Sequence, residues 1–157
     1  MQKKYKILLI ILLVKILMVN TSSVYSCENF IFKKATISLE NKLKNKKKIV
    51  VELAETRLKR KQGLQCRKKM PKQEGMLFLW EKEDHRVFWM KKTYIPLDII
   101  FFNNKKQIFH FFLNAKPLDE NPILSNGKAK YVLELNAGEF KSLDLKLGYK
   151  LIFLNKN

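Results

Sequence analysis

The segment Val87–Leu113, VFWMKKTYIPLDIIFFNNKKQIFHFFL, is the densest apolar and aromatic run in the chain, and it constrains the fold more than any other. Leu97–Phe102 and Gln107–Leu113 are short runs of β-branched and aromatic residues. They flank Asn103-Asn104-Lys105-Lys106, a sequence suited to a tight turn, so they are expected to pair as a hairpin. Both faces of each run are largely apolar, which predicts strands covered on both sides. Ile95 precedes Pro96, which pushes it out of the helical region and makes Tyr94–Pro96 an extended connection. One residue breaks the pattern. Asp98 lies inside the apolar run, and an unpaired carboxylate buried there would be costly.

The rest of the chain reads mainly as short strands. Ala35–Leu39 is a first strand, and Lys42–Lys47 is a lysine-rich turn. In Lys48–Leu53, Ile49, Val51 and Leu53 alternate with Val50 and Glu52, the period of a half-buried strand. The period then changes. Thr56 is suited to cap a two-turn helix over Arg57–Gln62 that ends at Gly63 in the left-handed region. So short a helix needs a docking partner, and Leu58 and Leu64 are the expected contacts. Met76–Trp80 is a strand, the charged run Glu81–Arg86 a turn, and Val87–Met90 another strand. Ala115–Lys128, with Pro117, Pro122 and Gly127, reads as a long surface loop. Tyr131–Leu135 alternates again, and Tyr149–Leu154 is the last strand. About eight short strands with turn signals between them predict an all-β fold, a sandwich or barrel with one short helix. No βαβ alternation is visible.

Residues 1–26 have the layout of a signal peptide: basic Met1–Lys6, apolar Ile7–Val19 interrupted only by Lys15, then a polar stretch to Ser26. The apolar part is shorter than the ~18 residues a membrane span needs. An exported protein is expected, periplasmic or secreted, with residues 27–34 as a linker and 35–157 as a single domain. Export places Cys27 and Cys66 where a disulfide persists. A Cys27–Cys66 bridge would contribute roughly 3–4 kcal/mol in the chain-entropy model. Alternatively, Val24-Tyr25-Ser26 before Cys27 reads as a loose lipoprotein box, which would make Cys27 a membrane anchor. Each fate excludes the other. The net charge of +18 comes mainly from scattered lysines, without a nucleic-acid motif, and reads as a solvated surface.

Four blocks of residues resemble a known family. They are Arg60-x-x-Gly63-Leu64 with Arg67, then Gly75-Met76-Leu77-Phe78. Next comes Phe88-Trp89-Met90-Lys91-x-Thr93-x-Ile95-Pro96-Leu97-Asp98-Ile99-Ile100-Phe101, and last Tyr131-Val132-Leu133-Glu134-Leu135-x-Ala137-Gly138. In order and spacing they resemble the domain of unknown function 192 family, small and often exported proteins of bacteria and archaea. Gln65 stands where that family usually has Met, and Lys92 where it often has Asn. The resemblance implies a jelly-roll-like β-domain and carries no agreed activity, substrate or cofactor.

Asp98 and Glu134 are the acids of interest, since each interrupts an apolar strand. Structurally, each would be satisfied by Arg67, Lys91 or backbone N–H groups. Functionally, the two would form a carboxylate pair in one cleft, as in a hydrolase or lyase acting on envelope carbohydrate. Trp89 borders a polar turn, so a ligand site is expected around Trp89, Met90, Lys91 and Thr93, with Asp98, Glu134 and Arg67 as its polar determinants. No nucleophile elbow, phosphate loop or dinucleotide fingerprint is present. Met70, Met76, Met90, His85, His110 and Cys66 are soft-metal ligand types but lack the spacing of a metal motif, and neither metal nor cofactor is expected. The function expected is a monomeric, non-enzymatic domain of the cell envelope. Its ligand would be a small molecule, a carbohydrate or a protein, not nucleic acid, and it would be free or associated with the membrane.

Overall fold

The computed structural model describes residues 30–43 and 45–156. The signal-peptide segment and Cys27 lie outside them. Seven strands form one sheet: β1 (Lys33–Glu40), β2 (Lys46–Ala54), β3 (Glu74–Phe88), β4 (Leu97–Phe102), β5 (Ile108–Ala115), β6 (Ile123–Asn136) and β7 (Lys150–Lys156). Their order is β5-β4-β6-β3-β2-β1-β7. Among the described residues two short helices accompany the sheet, α1 (Arg57–Gln62) and α2 (Glu139–Ser142). The all-β expectation is met. The sheet curls until its edge strands touch at a single bridge, Gln107 to Lys150, without closing into a barrel.

Seven strands replace eight because of the charged run. Glu81–Arg86 is not a turn: β3 continues through it for 15 residues, paired with an equally extended β6. Register shifts between Leu79 and Asp84, and between His85 and Val87, absorb the break in alternation. Part of the expected surface loop is strand as well. Ile123, Ser125 and Ala129 of β6 are buried while Leu124, Asn126 and Lys128 are exposed, the alternation of a half-covered strand. The first strand starts at Lys33, two residues inside the segment read as linker.

The short helix forms where Thr56 and Gly63 place it. Thr56 Oγ1 accepts from the Lys59 N–H at 3.2 Å, and Gly63 has φ +51°. Its docking differs from expectation. Leu64 is buried, but Leu58 is 64% exposed, and Arg60 is the anchor. The Arg60 Nη1 donates to the carbonyls of Glu55 at 2.6 Å and Leu79 at 2.7 Å. Because β2 and β3 are adjacent and parallel, α1 and the loop after it form a crossover over the sheet, the one βαβ unit among the described elements.

Two cores result, one on each face. The concave face holds Ile37, Leu39, Val51, Leu77, Ile100, Phe102, Leu133, Leu135 and Phe140. The opposite face of the central strands holds Met76, Phe78, Ile99, Phe101 and Val132, covered by Leu64, Met70, Met90 and Ile95. β4 lies between them and all six of its residues are buried, as expected for a strand covered on both sides. Its hairpin partner β5 is a sheet edge instead, with Phe112 exposed. Gly75 keeps β3 close to β6: a Cβ there would lie 2.5 Å from the Glu134 carbonyl oxygen and 2.8 Å from Leu135 Cδ2.

Candidate functional site

Asp98 and Glu134 occupy neighbouring positions on adjacent strands and face opposite sides of the sheet. In the β4–β6 ladder Asp98 pairs with Leu135, and Ile99 pairs with Glu134. Paired residues share a face and successive residues alternate. Asp98 therefore lies on the concave side with Leu135, and Glu134 on the other side with Ile99. They do not form a carboxylate pair in one cleft.

Asp98 is satisfied by backbone. Leu97 pairs with Ala115 and Ile99 with Phe112, so β5 has an extra residue opposite Asp98. This bulge leaves Asn114 in the left-handed region, φ +55°, with its N–H outside the ladder. The Asp98 Oδ1 accepts that N–H at 3.0 Å. Its Oδ2 accepts the Phe140 N–H, also at 3.0 Å, in the first turn of α2, where Gly138 offers no side-chain cap. Neither Arg67 nor Lys91 is involved. Arg67 forms a bidentate pair with Glu52, Nη2 to Oε2 at 2.6 Å and Nη1 to Oε1 at 3.3 Å. Lys91 pairs with Glu120 at 3.3 Å.

Glu134 is different. It is 4% exposed, and among the described residues its carboxyl has neither a hydrogen bond nor an ion pair. Burial pushes its pKa up to about 8, so the group is neutral at pH 7. It lines a cleft of about 310 Å³ whose walls include Phe78, Trp80, Phe88, Trp89 and Thr93. The volume is at the lower end of small-ligand sites. Phe78 and Trp80 stack with ring centroids 6.3 Å apart, and Phe88 meets Phe78 edge-on at 5.0 Å.

The cleft's margin is cationic: Arg57, Arg60, Lys61, Arg86 and Lys91 line it, and Glu134 is its single acid. The guanidinium carbons of Arg60 and Arg86 lie 5.2 Å and 4.4 Å from the Trp80 ring centroid. Burial pushes the pKa of both arginines down; Glu81 raises that of Arg60 again and Asp84 that of Arg86. Arg86 Nε donates to the Ala129 carbonyl at 3.2 Å and Nη2 to that of Lys82 at 2.6 Å. The two loops that shape the cleft meet where the Cys66 N–H donates to the Lys92 carbonyl at 2.6 Å. Cys66 and Lys92 both have positive φ, 64° and 53°, a conformation in which Asn is less strained than Lys. Cys66 is not a free thiol. The proposed fates of Cys27 lie outside the described residues.

Of the residues singled out from sequence, the structure brings Trp89, Lys91, Thr93 and Glu134 to this cleft. Met90 is fully buried in the core beside it. Arg67 belongs to the Glu52 pair and Asp98 to the other face. Sequence reasoning missed Arg86 and the siting of Arg60. Arg60 stood in a motif block, and the charged run ending at Arg86 follows Trp80, but only the uninterrupted β3 reveals that they meet. Among the described residues no group of three or more His, Cys, Asp or Glu side chains could hold a metal ion.

Comparisons with known proteins agree with this fold. One similar solved structure, from Sinorhizobium meliloti 1021, carries the name "putative transcription regulator". It is 35% identical with a TM-score of 0.77, over 80% of this chain and 98% of that one. Another, a protein of unknown function from Novosphingobium aromaticivorans DSM 12444, is 34% identical with a TM-score of 0.71, over 74% of this chain and 83% of that one. No curated protein matches. The family model described as Uncharacterized ACR matches residues 39–153. The chain therefore belongs to that family, DUF192, the domain of unknown function 192.

Proposed function

We propose that this protein is an exported, non-enzymatic binding domain of the cell envelope, with its ligand seated in the Trp89–Glu134 cleft. The observation that carries the reading is Glu134. The residue is 4% exposed, and its carboxyl, without a protein partner among the described residues, lines a cleft where a ligand hydrogen bond would offset its desolvation. Catalysis has less support, because the second carboxyl is on the other face of the sheet. Export rests on residues 1–26. Mass spectrometry of the mature N-terminus tests it: a chain starting at Cys27 is expected, and an intact Met1 in an envelope fraction would contradict it. The same spectrum separates a lipidated Cys27 from a plain one.

A thermal-shift screen of small metabolites and sugars on wild type and Trp89→Ala tests the binding reading. Trp89 is 53% exposed, so its removal should leave the fold intact and abolish the shifts of cleft ligands. Identical responses of the two proteins to every ligand would take Trp89 out of the site. The name of the S. meliloti relative and the net charge of +18 favour a second reading, duplex DNA binding. Tight binding to random duplex DNA at about 0.15 M salt would support it over the cleft reading.

A further inference from the structure

Four features of the cleft bear on the class of ligand it would take, an argument that rests on the cleft being the binding site. The first is the charge of the margin. Among the described residues Arg57, Arg60, Lys61 and Arg86 form no ion pair, so their field is offset only by acids outside the cleft such as Glu81 and Asp84. The second is the donors left over. Arg60 directs Nη1 to two carbonyls, leaving Nε and Nη2. Arg86 uses Nε and Nη2, leaving Nη1. Both forks lie against the Trp80 ring, and a guanidinium fork matches the geometry of a carboxylate. Third, Phe78, Trp80, Phe88 and Trp89 contribute aromatic surface to the lining, and Trp89 is the most exposed of them at 53%. Fourth, Glu134 presents a buried polar group at the same site, with Thr93 nearby on the lining.

We propose that the cleft takes a small cyclic organic acid. Its carboxylate is held by the spare N–H groups of Arg60 and Arg86, its ring lies on the aromatic wall, and a ring hydroxyl or oxygen hydrogen-bonds the Glu134 carboxyl. A sugar acid and an aromatic acid share this chemistry. With Glu134 neutral, its O–H donates to the ligand. Once ionised, it would repel the anion. Arg57, Arg60, Lys61, Arg86 and Lys91 are the other charged groups on the lining.

Calorimetric titration of the purified chain with two matched pairs tests this: glucuronate against glucose, and benzoate against benzyl alcohol. The charged member of at least one pair is expected to bind about tenfold tighter or better than its neutral partner, and which pair responds separates the two sources. Arg86→Gln should remove most of that preference. Because Arg60 anchors α1, the exposed Arg57→Gln and a salt titration serve as controls that do not threaten folding, each weakening the charged ligand alone. Raising the pH from about 7 to about 9 should weaken the anion in wild type and not in Glu134→Gln, which keeps a donor without the charge. Neutral members binding as tightly as charged ones would overturn the assignment while leaving the cleft a binding site. Failure of all four probes would overturn the assignment too, and the broader Trp89 screen then decides whether the cleft binds anything.

Discussion

Asp98 and Glu134 offer a natural comparison, since both are buried acids one register step apart in the same sheet, yet their surroundings have opposite character. Asp98 lies where the backbone is irregular. A bulge in β5 and the uncapped start of α2 each leave an N–H with no ladder partner, and one carboxylate takes both. Glu134 lies where the backbone is regular, so no orphan donor exists for it, and the cations around its cleft do not reach it. The lesson is that an acid inside an apolar strand has two distinct explanations, and the face of the sheet decides between them. The Asp98 carboxylate completes the fold, whereas the Glu134 carboxyl has no partner among the described residues.

The comparison can be broken most forcefully at Asp98. Asp98→Ala leaves the partly buried Asn114 N–H and the buried Phe140 N–H without an acceptor. A loss of about 4 kcal/mol in chemical denaturation is expected, since hydrogen bonds to charged groups each contribute roughly 1.5–3 kcal/mol. A loss below about 1 kcal/mol would show that α2 and the bulge are held by other contacts. Gly75→Ala should come next, at about 2–3 kcal/mol, because its Cβ would meet the Glu134 carbonyl and β6 must move. A denaturation midpoint unchanged from wild type would mean that the two strands are less tightly fixed than the 2.5 Å approach implies. Arg67→Met should cost about 1 kcal/mol. Its pair with Glu52 is bidentate but partly solvated, and ligand binding in the cleft should be unaffected. Altered ligand affinity would return Arg67 to the site. Smallest of all is Glu134→Gln below about pH 4, where the Glu134 side chain is neutral in both the folded and the unfolded chain. There the two proteins should agree in stability to within about 1 kcal/mol.

Local chemistry made part of this legible in the sequence. Thr56 and Gly63 bracket α1 because a cap oxygen and a left-handed glycine act within a few residues. The alternation of Ile49, Val51 and Leu53 likewise reports directly on one covered face. What sequence could not show depends on distant pairing. Glu81–Arg86 has the composition of a turn, yet it extends β3 because β6 runs alongside it, and its bulges erase the period a strand would otherwise show. Arg60, not Leu58, docks the helix, because the acceptor is the Leu79 carbonyl on the strand beneath. The partners of Asp98 are two main-chain N–H groups, and no side-chain pattern reports those. Trp89, Lys91, Thr93 and Glu134 could be singled out because the acid interrupts an apolar strand and the aromatic borders a polar turn, and the structure places all four on one cleft lining. Trp80, Arg60 and Arg86 join that lining only because β3 is continuous.

The most direct test of the contrast is the pH dependence of stability in wild type and Glu134→Gln. Glu134 has a folded-state pKa of about 8, raised by burial above its value in the unfolded chain. Between those two values the folded protein binds more protons than the unfolded one, so stability should fall as the pH rises. The contribution is fully present in acid, declines from about pH 4.5 and is exhausted near pH 8, a total on the order of 4 kcal/mol. Subtracting the Glu134→Gln curve from the wild-type curve isolates it. A difference that grows against wild type across that window is the expected result. Two parallel curves would contradict it, placing Glu134, like Asp98, among carboxyls already satisfied within the fold.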